Sequence, residues 1–124
     1  MPKIDLYSVE LFESLLELDF QDINIDIHND YEVKNILFKN NNLQFLLTHN
    51  TSDLKFLLSF YDTEFIEFDL STNKNLCIDN FYRGRYELND ELYDEFNEKK
   101  CFYIEFSETG QLNILCSKLT LSEL

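Results

Sequence analysis

Residues 42–70 read NLQFLLTHNTSDLKFLLSFYDTEFIEFDL. Short apolar runs in this stretch are separated by clusters of Asn, Asp, Ser and Thr, whose side chains bond the local backbone and favour turns. The pattern extends outward on both sides, over residues 31–81, and no helical segment interrupts it. Strands that follow one another without an intervening helix pair antiparallel. The predicted strands lie near residues 31–39, 42–49, 53–61, 64–70 and 75–81.

Some of these strands are apolar on both faces. Phe56-Leu57-Leu58 places apolar side chains at successive positions, which point to opposite faces of a strand. A half-buried strand alternates instead, as Ile23, Ile25 and Ile27 do with the polar residues between them. We therefore expect helices or a partner to cover the second face of the sheet.

Helical periodicity precedes the strands. Between Ser8 and Leu18, Leu11 and Leu15 recur at helical spacing while glutamates occupy the opposite side. The hydroxyl of Ser8 could accept a hydrogen bond from the first turn as an N-cap. The segment predicts an N-terminal amphipathic helix that packs on the sheet.

A second helical pattern lies between Glu87 and Glu98. Leu88, Leu92 and Phe96 fall four residues apart and form an apolar stripe. Acidic residues fill much of the remaining surface. This stretch predicts a second, acidic helix.

A hairpin is predicted at the end of the chain, over Lys100 to Ser107 and Gln111 to Lys118. It turns at Glu108-Thr109-Gly110, where glycine supplies the positive φ that such turns need. No linker or repeat divides the chain. The expected fold is therefore a single α+β domain over residues 1–124, with an antiparallel β-meander, an N-terminal helix, an acidic helix and a C-terminal hairpin.

The charge balance excludes two classes of partner. The chain has 124 residues, with 24 Asp and Glu against 10 Lys and Arg, and a formal net charge of −14. Nucleic-acid binding needs basic residues that displace counterions from phosphates, and anionic membranes repel such a chain for the same reason. With only two glycines, a glycine-rich phosphate loop is excluded as well.

Hydropathy and cysteine usage indicate the compartment. No apolar run approaches the roughly 20 residues of a membrane-spanning helix. Acidic residues from Glu10 to Asp19 interrupt the region where a secretory signal would be apolar. Cys77, Cys101 and Cys116 are odd in number and widely spaced. We therefore expect a cytoplasmic protein with three reduced thiols.

Acidic residues are the strongest functional feature of the sequence. The net charge exceeds the magnitude of about 2–8 that serves solubility in a small domain. We therefore expect a basic protein partner, because charge speeds association and excludes wrong partners. The residues expected to bind it are Glu87, Asp90, Glu91, Asp94, Glu95 and Glu98 in the predicted helix, and Asp19, Asp22, Asp26 and Asp30 before the meander.

One motif has the opening spacing of a calcium loop. Asp22-x-Asn24-x-Asp26 resembles the start of an EF-hand, in which alternate oxygens converge on the ion. Ile27, however, stands where the loop needs glycine for its sharp turn. We therefore favour a strand over a calcium site.

A second candidate site is formed by His28, Asp30 and His49. Imidazole and carboxylate groups can share a divalent ion or a proton. Their spacing is not diagnostic, and a structural role is the better interpretation. We predict no metal and no cofactor.

Two further groups could carry chemistry. Cys77 and Cys116 lie in apolar settings that favour buried, inert thiols over nucleophiles. Arg83 and Arg85 could grip a carboxylate or phosphate, but the neighbouring acids favour internal neutralisation.

Two parts of the chain resemble a known family. The stretch His28-Asn29-Asp30-Tyr31-Glu32-Val33-Lys34-Asn35-Ile36 resembles small bacterial immunity proteins that open their sheet with a His-Asp motif. Tyr103-Ile104-Glu105-Phe106 and Gly110-Gln111-Leu112-Asn113-Ile114-Leu115-Cys116 are similar to the final hairpin of that group. The resemblance covers roughly His28 to Leu121. It implies a non-enzymatic protein that neutralises a cognate toxin domain of a contact-dependent or polymorphic toxin system.

The sequence leaves two other functions open. A small, acidic, cytoplasmic protein can also be a secretion chaperone or adaptor that holds an effector segment on exposed apolar surface. A small metal-dependent enzyme built around His28, Asp30 and His49 is the third hypothesis. For the immunity protein, the expected partner is a basic toxin domain, plausibly a nuclease, whose active site would be masked.

Overall fold

The computed structural model of the chain describes residues 2–70, 76–108 and 110–124. Within these residues, strands account for 68% of the chain and a single four-residue helix for 3%. The elements are β1 (Lys3–Asp5), β2 (Glu17–Phe20), β3 (Ile23–Asp26), α1 (Ile27–Asp30), β4 (Tyr31–Lys39), β5 (Asn42–His49), β6 (Lys55–Tyr61), β7 (Glu64–Leu70), β8 (Ile78–Gly84), β9 (Tyr86–Leu88), β10 (Glu91–Tyr93), β11 (Glu95–Phe96), β12 (Lys99–Phe106), β13 (Gly110–Cys116) and β14 (Lys118–Glu123). The predicted α+β class is therefore wrong, and the protein is predominantly β.

The strands form two main antiparallel sheets. The first, sheet A, has the order β1-β14-β6-β5-β4. In the second, sheet B, β12 pairs with β13 on one side and with β8 and β11 on the other. On its far side, β13 pairs with β7. Two ribbons, β2-β3 and β9-β10, flank the sheets. The strands predicted within residues 42–70 form, but within the predicted meander only β4, β5 and β6 pair in sequence order among the described residues.

One bent ladder connects the two sheets. β6 pairs with β14 in sheet A. In sheet B, β7, which follows β6, pairs with β13, which precedes β14. At the bend, the Ser117 amide donates to the Tyr61 carbonyl at 2.9 Å. The Ser117 hydroxyl donates to Asp62 Oδ2 at 2.8 Å. These contacts hold the corner at which both strands change sheets.

Aromatic residues join the sheets across the core. Phe45 and Phe60 point inward from sheet A, and Phe102 and Phe106 point inward from sheet B. The rings of Phe45 and Phe106 lie 5.9 Å apart, and those of Phe60 and Phe102 lie 6.5 Å apart. Alternation of buried and exposed positions along each strand therefore builds one core between the two sheets.

The predicted N-terminal helix over Ser8 to Leu18 does not form. This segment runs beside the edge of β8, where the amides of Phe12 and Leu15 each donate to a β8 carbonyl at 2.7 Å. Phe12 has a φ of 64°, which no helix contains. Tertiary hydrogen bonds to the sheet edge therefore override the helical periodicity.

The predicted acidic helix over Glu87 to Glu98 is also wrong. Two tight turns interrupt it, at Asn89-Asp90 and at Asn97-Glu98, and all four residues have positive φ. Consecutive positive φ values are the geometry of a type I′ hairpin turn. Asn and Asp tolerate this conformation, since their short polar side chains bond locally.

The predicted closing hairpin is present as β12 and β13, within one residue of the expected start of each strand. Its second strand ends at Cys116, because the chain bends there into β14. Thr109, in the predicted turn, lies outside the described residues, as does Asn75, where the fifth predicted strand was expected to begin. That strand is observed as β8, shifted toward the C terminus.

The second face of the meander has no helical cover among the described residues. Phe56 and Leu58 point into the core, whereas Leu57 lies on the outer face of sheet A and is only half-buried. Helices therefore do not cover this face among the described residues, and cover by a partner stays a prediction.

Candidate partner-binding surface

Residues 86–98 form a double turn that we name the acidic arm. It contains β9 and β10, which pair through Leu88 and Glu91, and β11, which leads into β12. The two-residue turns place the ribbon at the end of sheet B. The described chain carries no further strand on it. The arm is therefore a surface element.

Six of the ten carboxylates predicted to bind a partner are exposed on this arm. They belong to Glu87, Asp90, Glu91, Asp94, Glu95 and Glu98. Two of them lie directly across the ribbon from leucines, Glu87 from Leu92 and Glu91 from Leu88. Cross-strand partners share a face. Each face of the β9-β10 ribbon therefore combines negative charge with apolar surface.

Two arginines hold the base of the arm: Arg83 on β8 and Arg85, which follows that strand. Arg85 Nε donates to Asp94 Oδ1 at 2.9 Å. Arg83 donates to the Asp94 carbonyl and to the Val9 carbonyl, each at 3.2 Å. The prediction that these arginines neutralise acidic residues of the protein itself is confirmed for Arg85, which forms a salt bridge with Asp94.

A cluster of aromatic rings also anchors the arm. Phe96 lies between Tyr86, at 4.7 Å, and Tyr93, at 5.4 Å between ring centroids. The Tyr93 hydroxyl donates to Glu91 Oε2 at 2.7 Å. These contacts join the strands of the arm to one another.

A cleft of about 260 Å³ lies between the arm and the outer face of sheet B. Tyr82 and Tyr103, whose rings lie 5.2 Å apart, form its floor. Phe12 and Leu92 stand at its walls, 57% and 59% exposed. Arg85 lies over the Phe12 ring at 5.4 Å. The cleft therefore places two exposed apolar side chains beside the arm.

Sequence reasoning missed Phe12 and Leu92 as surface residues. Leu92 belongs to the apolar stripe of the predicted acidic helix, and Phe12 lies within the predicted N-terminal helix. Helical spacing was the only signal available for them. This spacing misled because tight turns set the local conformation, and these turns contain no glycine that would mark them in the sequence.

The second predicted cluster lies on a different part of the fold. Asp19 and Asp22 are exposed on the β2-β3 ribbon, where Asn24 Nδ2 donates to Asp19 at 3.3 Å. Asp30 is exposed at the end of α1. The structure therefore presents this cluster on the ribbon and helix, separately from the acidic arm.

Asp26 has a structural role within that cluster. Its side chain caps α1, accepting from the Asn29 amide at 3.1 Å and from Asn29 Nδ2 at 2.8 Å. These hydrogen bonds lower the pKa of Asp26 below its usual value, because they favour the charged form. Of the four residues, Asp26 is thus least free to serve a partner.

The two histidines serve different local structures. His28 Nδ1 lies 2.9 Å from the Ile78 carbonyl and 3.2 Å from Asp79 Oδ1. His49 accepts from the Thr51 amide at 3.2 Å. Across residues 2–70, 76–108 and 110–124, no three His, Cys, Asp or Glu side chains are grouped to hold a metal ion.

The three thiols are free and shielded. Burial raises the pKa of Cys101 to about 11 and that of Cys116 to about 12. The pKa of Cys77 is also raised, mainly by burial, and its thiol donates to the His28 carbonyl at 3.2 Å. A raised pKa removes the thiolate that nucleophilic chemistry requires. The arrangement is that of structural cysteines.

Comparison with protein-family models, curated proteins and solved structures finds no match to this chain. The resemblance to immunity proteins therefore stays a prediction. Among the described residues, no helical segment has the length and hydrophobicity of a membrane-spanning helix.

Proposed function

We propose that the protein is an immunity protein that binds a cognate toxin domain through its acidic surface and neutralises it without catalysis. The observation that carries the proposal is the acidic arm. It presents six exposed carboxylates together with the exposed Leu88 and Leu92 on a defined ribbon.

This composition suits a protein interface better than solubility alone. Interfaces bury apolar anchors at their centre and surround them with polar groups. Leu92 of the arm and Phe12 supply exposed apolar side chains at a cleft, and Glu87 lies directly across the ribbon from Leu92. Because Asp94 is the only one of the six paired with a described basic residue, the other five can meet a partner's cations.

A nuclease is the class of toxin that this surface fits best. An active site that binds nucleic acid is basic, since it must neutralise phosphates. Carboxylates projecting from a ribbon can occupy such a site and exclude its substrate. Charge of opposite sign also accelerates the encounter, most strongly at low salt.

We place this function in the cytoplasm. Three free cysteines, two of them buried, suit a reducing compartment. A toxin that acts on intracellular nucleic acid would be met there.

The test uses the reading frame immediately upstream of the gene. The C-terminal domain of the protein encoded there is expressed in a sensitive host with and without this protein. The association rate of the two purified proteins is then measured at low and high salt. We expect growth rescue and binding without turnover. A domain that is harmless, or toxic but not rescued, would overturn the proposal.

A charge reversal then tests the arm. Glu87→Lys with Glu91→Lys should slow association about tenfold at low salt and little at high salt, because steering depends on charge. Asp19→Lys with Asp22→Lys makes the same charge change on the β2-β3 ribbon and serves as the matched control. Equal effects of the two pairs would show that overall charge, and not the arm, directs binding.

A further inference from the structure

A second exposed apolar surface lies away from the arm, where the edges of the two sheets approach each other. It consists of Phe38 on β4 and of Phe65 and Phe68 on β7, and we name it the aromatic seam. The Phe38 ring lies 4.9 Å from the Phe65 ring, which lies 5.4 Å from the Phe68 ring. The three rings thus bridge the edges of sheets A and B.

The register shows that these rings face the core side of their sheets. Phe38 pairs with Leu43, and Phe68 pairs with Leu112. Both leucines are fully buried, and cross-strand partners share a face. Phe38 and Phe68 are nevertheless 46% and 58% exposed. Core-facing side chains are uncovered here because each sheet ends.

Both strands are edge strands over this stretch. Among the described residues, β7 pairs only with β13, and β4 pairs with β5 and, at Val33 alone, with Leu76. An edge strand directs alternate backbone N–H and C=O groups away from its single partner. With respect to the described residues, the seam therefore has edge-strand hydrogen-bonding groups without a strand partner beside an exposed apolar surface.

A β-bulge in β7 changes which of its side chains share a face. The register shifts opposite Asn113 and Ile114, so that Ile66 is the extra residue of β7. Phe65 and Phe68 consequently share the core face although they are three residues apart. Glu67 and Asp69 lie on the opposite face, across from Asn113 and Gln111, and are exposed.

We infer that the free edge of β7 accepts an extended strand from a partner protein whose residues alternate between apolar and basic. The apolar side chains of this strand would cover the aromatic seam. The basic side chains would lie beside Glu67 and Asp69 on the outer face. Strand addition of this kind uses backbone hydrogen bonds for affinity and alternate side chains for specificity.

Charge argues against a second copy of this chain as the occupant. Each copy carries −14, and pairing β7 with another β7 would bring Glu67 and Asp69 together with their own counterparts. Like charges in cross-strand positions are destabilising. A basic strand removes that repulsion and is the complementary occupant.

The test is titration with a synthetic peptide, acetyl-Lys-Val-Lys-Phe-Lys-Val-Lys-amide, followed through the backbone amides of the isotope-labelled protein. We expect chemical-shift changes and slower hydrogen exchange in Glu64–Leu70. The isomer with its four lysines first and its apolar residues last has the same charge. It should bind about tenfold more weakly, because it cannot form all the cross-strand pairs.

Backbone methylation separates strand addition from simple adhesion. Two peptide versions are made, each N-methylated at one of the two alternate sets of amides. At least one version should lose binding, since pairing with β7 requires one set of free N–H groups. If both versions bind as tightly as the unmethylated peptide, or if the shift changes are centred on residues 86–98, the inference is overturned.

Matched protein variants locate the site. Phe68→Thr should weaken peptide binding about tenfold, because it removes an aromatic contact. Leu92→Thr changes a side chain of nearly the same exposure, 59% against 58%, and should leave peptide binding unchanged. A greater loss of peptide binding in Leu92→Thr than in Phe68→Thr would instead place the peptide on the acidic arm. Because this assay uses no toxin, its result is independent of the proposed immunity function.

Discussion

The bent ladder and the acidic arm are both antiparallel ribbons, yet they use their side chains differently. In the ladder, formed by β6-β7 with β13-β14, Phe60 is fully buried and contacts the rings of Phe45, Phe81 and Phe102. In the arm, Leu92 is mostly exposed. The same backbone geometry therefore builds a core in one region and a surface in the other.

The difference teaches that strand pairing alone does not decide burial. The ladder has a second sheet facing it, so its inward side chains are covered. The arm has only the edge of sheet B at its base, and its apolar residues stay near water. Apolar residues that a fold leaves exposed among charges are candidates for contact with another molecule.

The largest expected effect is loss of a core ring in the ladder. Phe60→Ala should lower the free energy of unfolding by about 3–5 kcal/mol, because it removes apolar contacts and leaves a cavity. Urea denaturation followed by circular dichroism measures the change. Leu92→Ala in the arm should stay within about 0.5 kcal/mol of the parent protein. Similar losses in both variants would break the comparison.

Glycine is expected to matter at one end of the ladder. Gly110 has a φ of 127°, and an added Cβ would lie 1.8 Å from the Asp69 carbonyl oxygen. Gly110→Ala should therefore cost at least about 2 kcal/mol, from strained backbone and displacement of β7. At Gly84 an added Cβ would meet its nearest neighbour at 3.6 Å. Gly84→Ala is the control and should unfold at nearly the parent urea concentration.

A smaller effect of opposite sign is expected in the arm. Asp90 has a φ of 65° in the turn after Asn89. Asp90→Gly creates the Asn-Gly pair favoured in type I′ turns and should stabilise the protein by up to about 1 kcal/mol. Asp94→Gly, within the arm but outside the turn, should destabilise it instead. Loss of stability in Asp90→Gly would show that the turn needs the Asp90 side chain.

The sequence predicted the strands of residues 31–70 well for a physical reason. Buried alternation in β5 and polar turns such as Asn40-Asn41 are local signals, and both are visible in the sequence. The prediction of the acidic helix failed because apolar residues at every fourth position are compatible with two successive tight turns as well as with a helix. Leu88, Leu92 and Phe96 have this spacing. Only the turn residues distinguish the two structures.

The candidate surfaces were predictable to different degrees. Exposure of the carboxylates from Glu87 to Glu98 followed from their charge and is observed despite the wrong secondary structure. The aromatic seam could not be predicted, because exposure of Phe38 and Phe68 depends on which strands lie at the sheet edges. That depends on contacts between distant parts of the chain.

The corner at Asp62 and Ser117 also bears on how the protein folds. The strands that meet there, β6-β7 and β13-β14, are separated by dozens of residues, so a large loop must close before the ladder gains any hydrogen bond. Topologies dominated by such distant pairings fold slowly. Because the same ladder belongs to both sheets, we expect the two sheets to assemble, and to open, as one cooperative unit.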